Sequence, residues 1–152
     1  MITQPTTARL IEVVRKELSE HVTPAVTDPQ LQTSLQMIDH ILSTLAVRAQ
    51  HEIAWMVEET KMLRRLGRDI VAAHPEASAV ATALAEAEAQ NQESLHYDDV
   101  ARRYGLASEI LSSAYEHTPN DSPLRPQIEE AFDHRLGHEL EIIGQFQLVG
   151  RT

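Results

Sequence analysis

The sequence predicts an all-α protein: an antiparallel bundle of four to five helices with one long second helix, forming a single domain over residues 1–152. Three observations lead there. Glycine is scarce, with 5 in 152 residues, while alanine, leucine and glutamate are plentiful, and those are helix-forming preferences. No stretch shows the period-two alternation of a half-buried strand. Between Asp28-Pro29 and about Ile70, apolar side chains recur at steps of three or four through Leu31, Leu35, Ile38, Leu42, Leu45, Ala49, Ile53, Met56 and Leu63. That is one face of a long helix without internal proline, and without glycine until Gly67.

A first helix is expected from Thr6 or Thr7 to about Val22, capped by a threonine, with Leu10, Ile11, Val14, Leu18 and Val22 as its apolar face. Thr23-Pro24 ends it. Asp28 then reads as the N-cap of the long helix, with Pro29 at its first position. So short a connection makes the two helices antiparallel neighbours. After a break at Ala72-Ala73-His74-Pro75, Pro75 reads as the start of a third helix. Ala79 to Gln90 is nearly all Ala, Glu and Gln, so this helix is expected to pack lightly and to leave apolar surface for a second copy or a partner. A kink or loop falls near 91–94, and a further helix runs from about Leu95 to Glu116. The turn-rich segment His117 to Pro123 is the clear loop, and a last helix follows from Leu124 or Pro126 to Phe146.

Composition narrows the function classes. The formal charge of -10 argues against a phosphate backbone or an anionic membrane surface as partner. Without cysteine there is neither a disulfide framework nor a thiolate nucleophile. No apolar run approaches the roughly 20 residues of a membrane span. The first residues lack the pattern of a signal peptide, so a cytoplasmic protein is expected. The five glycines form no phosphate-cradling loop, and there is no Gly-x-Ser-x-Gly elbow.

Carboxylates, arginines and histidines on helices remain. Along one flank of the long helix run Leu45, Arg48, Glu52, Trp55, Glu59, Met62 and Leu66, with ionisable groups among core-type residues. On the last helix, Arg135 and Glu139 share the side of Ile128, Phe132, Ile142 and Phe146. If these helices are neighbours, the charges converge at the edge of the core and must find each other, a metal or a ligand, because unpaired buried charge costs several kcal/mol. One outcome is a structural ion-pair network, with Arg48–Glu52 and Arg135–Glu139 at i,i+4 spacing. The other is a ligand site made of Arg48, Glu52, Trp55, Glu59, Arg135 and Glu139, which would suit a small polar molecule. A divalent metal such as zinc or nickel is the alternative, held by His51, His134 and His138. Helical phase nevertheless places His134 opposite the apolar face and His51 on the outer side of its helix. The paired Glu-x-x-His motifs of a di-iron bundle are missing. Residues 97–111 have the small residue, glycine and aliphatics of a helix-turn-helix at Ala101, Gly105, Leu106 and Ile110. Ser108 to Glu116 holds no side chain suited to reading bases, so Gly105 fits better inside a continuous helix. His40 and His74 read as solvated.

Two resemblances follow from these residues. His51 with His134-x-x-x-His138 resembles the DinB-like four-helix bundles, which implies a metal-binding bundle and leaves metal-dependent catalysis open. Residues 7–63, through Leu10-Ile11-Glu12-Val13-Val14, His21-Val22-Thr23-Pro24-Ala25-Val26 and Leu42-Ser43-Thr44-Leu45-Ala46-Val47-Arg48, look like an uncharacterised bacterial helical family. Its members are encoded beside acyl-CoA dehydrogenases and aminoglycoside-phosphotransferase-like proteins. Arg135-Leu136-Gly137-His138-Glu139 and Val149-Gly150-Arg151 fit the same pattern. This second resemblance implies a small accessory protein and points again to Arg48, Glu52, Arg135 and Glu139. The expectation is a non-catalytic accessory module without a cofactor, binding a second copy or a partner protein.

Overall fold

The structure is a computed structural model, and it describes residues 4–144. The all-α class is observed, with α1 at Thr7–Glu17, α2 at Pro29–Ala73, α3 at Ser78–Glu88, α4 at Tyr97–His117 and α5 at Arg125–Ile143. Their residues group into two compact units, one of residues 1–52 and 139–152, the other of residues 53–138. No helix among the described residues is long and apolar enough to cross a membrane.

In the first unit, Thr6 caps α1 by accepting from the Arg9 amide. A π-helical turn over Leu18–Val22 and a 3-10 turn over Thr23–Ala25 carry the chain round. Asp28 then caps α2, its Oδ1 accepting from the Gln30 and Leu31 amides, as the Asp-Pro pair predicts. The two helices run antiparallel and are clamped by Arg15, which donates Nε to Asp39 Oδ1 at 2.9 Å and Nη2 to Oδ2 at 3.2 Å. The contact holds the Arg15 guanidinium's pKa above its ordinary value, chiefly through the Asp39 hydrogen bond. Hardly any core forms here. Only Ala8 and Ala46 are buried hydrophobics in the stretch 4–52, and Leu10, Val14, Leu31, Ile38 and Leu45 lie open.

That corrects the reading of the α2 stripe as one continuous core face. It is core only in the second unit, where Glu59, Leu63, Leu66 and Ile70 face inward at steps of four, three and four. Leu63, Leu66 and Ile70 pack with Val80 and Leu84 of α3, Ile110 and Leu111 of α4, and Ile128 of α5. Alanines at 83, 87, 107, 114 and 131 fill the places where helices approach closely. The alanine-rich third helix is therefore well packed rather than light, since small side chains let α3 lie against α4 at short range. Gly67 serves the same end on α2: a Cβ there would sit 2.8 Å from Ile110 Cγ2. Helix α2 continues past this glycine, and Pro75 falls in the turn before α3 rather than at its first position.

Two loops are tied down by side chains. Arg103, almost fully buried on α4, donates to the carbonyls of Asn91 and Ser94 and so staples the α3–α4 connection. His74, expected in solvent, is largely enclosed: its Nε2 lies 2.8 Å from Ser122 Oγ and its Nδ1 3.3 Å from Glu76 Oε1. Ser122 Oγ also accepts from the Leu124 amide at the entry to α5. This Ser–His–Glu line is a helix cap locked to the end of α2. Helix α5 stops at Ile143 because Gly144 turns left-handed, with φ +65°. The expected extension to Phe146 lies outside the described residues.

Candidate functional site

The second unit brings α2, α4 and α5 together around one carboxyl group. Trp55 and Glu59 stand one turn apart on α2. Helix α5 supplies His134, Arg135 and His138, and α4 supplies Tyr104. Glu59 is 3% exposed. Its Oε1 accepts from His138 Nδ1 at 2.6 Å, and Arg135 Nε lies 3.2 Å from its Oε2. Arg135 also donates Nε and Nη2 to Tyr104 Oη at 3.1 and 2.6 Å, while its guanidinium sits 4.9 Å above the Tyr104 ring. The His138 ring stacks on Trp55, with centroids 4.3 Å apart and planes at 12°. His134 meets His138 edge-on at 4.5 Å.

The electrostatics follow from this packing. A buried carboxyl group is tolerable only with cationic or donor groups around it, and Glu59 has both. Burial, and after it the neighbouring Glu59, raise the Tyr104 hydroxyl's pKa above 10.0, with Arg135 opposing. With Nδ1 committed to Glu59, His138 is fixed in one orientation, and Trp55 holds the ring flat. His134 Nε2 is buried without a hydrogen-bond partner, 4.0 Å from Glu58 Oε1.

Of the residues singled out in the sequence, Trp55, Glu59, His134, Arg135 and His138 belong to this cluster. Arg48 and Glu52 pair with each other in the first unit, Nε to Oε1 at 2.9 Å. Arg135 takes Glu59 and Tyr104 as partners, and Glu139, expected at the centre of an apolar face, is exposed. The phase assigned to α5 is corrected too. Phe132, Leu136 and Leu140 are exposed, whereas Ile128, Ala131, Arg135 and His138 turn inward. His134, expected opposite the core, is half-buried. Tyr104 is the member of the cluster that helical periodicity does not single out; its hydroxyl, which needs a partner when enclosed, is the one signal in the sequence for its place here.

His51 lies in the first unit, beside an open cleft of about 590 Å³ bordered by Arg9, Glu12 and Gln50. His134 borders a groove of about 420 Å³ with Arg65, Asp69, Gln127 and Glu130 in the second. Among the described residues, no group of three or more His, Asp or Glu side chains is arranged to hold a metal ion. Helix α4 runs unbroken through Gly105, so there is no helix-turn-helix at residues 97–111. Comparison with protein-family models, curated proteins and solved structures returns no match to this chain.

Proposed function

We propose that this chain is a non-catalytic accessory module, cytoplasmic and without a cofactor, that works by docking through the apolar surface of its first unit. One observation carries the reading. Nine large apolar side chains between residues 10 and 45 are 40% or more exposed, while Ala8 and Ala46, just outside that stretch, are the only buried hydrophobics among the described residues up to 52. Exposed apolar surface on that scale favours association. The Glu59 cluster fits the same reading, because its charges answer one another and leave it a structural role.

The test replaces Ile41 and Leu45 by Gln and follows unfolding by Trp55, the single tryptophan, at a dilution where chains are separate. A docking face predicts an unchanged midpoint together with weaker binding of a hydrophobic dye. A fall of about 2–5 kcal/mol, as for large core side chains, would instead make this surface part of the core and sink the reading.

A second reading is a divalent metal, zinc or nickel, bound at the His134 and His138 pair alone, since they belong to no group of three ligands among the described residues. The buried, unpartnered Nε2 of His134 favours it. Metal analysis of untagged protein with melting in chelator decides it: stoichiometric metal and a lowered melting temperature support it, and neither being seen removes it.

A further inference from the structure

We infer that the occupant of the docking face is a second copy of this chain, so that two α1–α2 hairpins pack face to face. The inference rests on the docking reading above and names its partner. The first argument is area. The nine exposed apolar side chains, each about half open, present on the order of 800 Å², which is what one partner contributes to a standard stable interface. The second is pattern. Leu31, Ile38 and Leu45 recur every seven residues with Ile41 between them, and Leu10 and Val14 sit one turn apart on α1. Such rows interlock with copies of themselves, as a two-fold contact requires.

The third is charge. Residues 1–52 hold four Lys and Arg against six Asp and Glu, whereas residues 53–138 hold eight against fifteen. The chain's acidity is thus concentrated away from the apolar hairpin. Two molecules of net charge -10 can meet there with the least repulsion. A hairpin of two helices with almost no core of its own also needs a covering layer to be stable. A second identical hairpin supplies one without any further component.

The experiment is light scattering and sedimentation of the full chain over a wide concentration range, with Ile38→Glu/Leu45→Glu and, as a control, Leu95→Glu, an exposed site in the other unit. The expected result is a mass of two chains for wild type and the control, and of one chain for the double variant. The chain has no cysteine, so Ile41→Cys gives a single thiol; oxidation should link it into a covalent dimer, a readout that holds even if the double variant fails to fold. A strictly single-chain mass overturns the inference, as does a dimer indifferent to Ile38→Glu/Leu45→Glu. If the chain is single yet binds a hydrophobic dye that Ile41→Gln/Leu45→Gln removes, self-association falls and docking stands. If dye binding is absent as well, both fall.

Discussion

His138 Nδ1 lies 2.6 Å from Oε1 of Glu59, a contact between side chains 79 positions apart that joins α5 to α2 in the second unit. Charge removal here leaves a partner buried and unanswered. Glu59→Gln should therefore cost about 2–3 kcal/mol, below the full range for buried pairs because Arg135 and His138 retain some solvent access. Arg48→Ala, which breaks a half-exposed pair, should cost no more than about 1 kcal/mol. Urea unfolding of both variants checks the contrast, and equal losses would contradict it.

Two glycines on neighbouring helices should respond in opposite directions to the same change. Gly67→Ala pushes a methyl into Ile110, which is fully buried, and should destabilise by about 1–3 kcal/mol. Gly105→Ala meets nothing within 4 Å and should stabilise by up to about 1 kcal/mol through helix propensity. Denaturant midpoints give both signs. A destabilising Gly105→Ala would mean that α4 is broken there.

Alkaline titration reports on the cluster directly. The Tyr104 hydroxyl is held in its neutral form by burial and then by Glu59, so it ionises above 10.0 in the folded protein. Its contribution to stability is complete below the unfolded value and is lost as pH rises through the folded one. Tyrosinate absorbance should show a late step that Tyr104→Phe removes. A titration unaltered by that substitution would place the late step elsewhere.

The His74–Ser122 lock predicts a shared loss. His74→Ala should cost about 1 kcal/mol and Ser122→Ala somewhat more, because it also removes the acceptor for the Leu124 amide, while the double variant should cost little more than Ser122→Ala, since the His74–Ser122 contact is then already lost. Fully additive losses, measured by thermal unfolding, would mean that the two side chains act separately.

Much of this fold was legible in the chain itself. Asp28-Pro29 announced the start of α2, and the turn-rich segment 117–123 announced the entry to α5. Glu59 beside Trp55 on one helix, and Arg135 on another, stood out because charge among core-type residues demands a partner. Which partner was not legible. The spacing of Arg135 and Glu139 suggests a local pair, yet helix packing offers Arg135 the buried Glu59 and the Tyr104 hydroxyl instead.

Burial was the other blind spot. The same apolar periodicity runs through both halves of α2, but only the half facing α3, α4 and α5 becomes core. On α5, counting large apolar residues points to Phe132, Leu136 and Leu140, and these are the side chains left open. The sequence by itself determined the helices, because propensity, caps and breakers act within a few residues of where they occur. Tertiary structure alone decided which faces are covered and which charges meet, because both depend on atoms brought from distant parts of the chain.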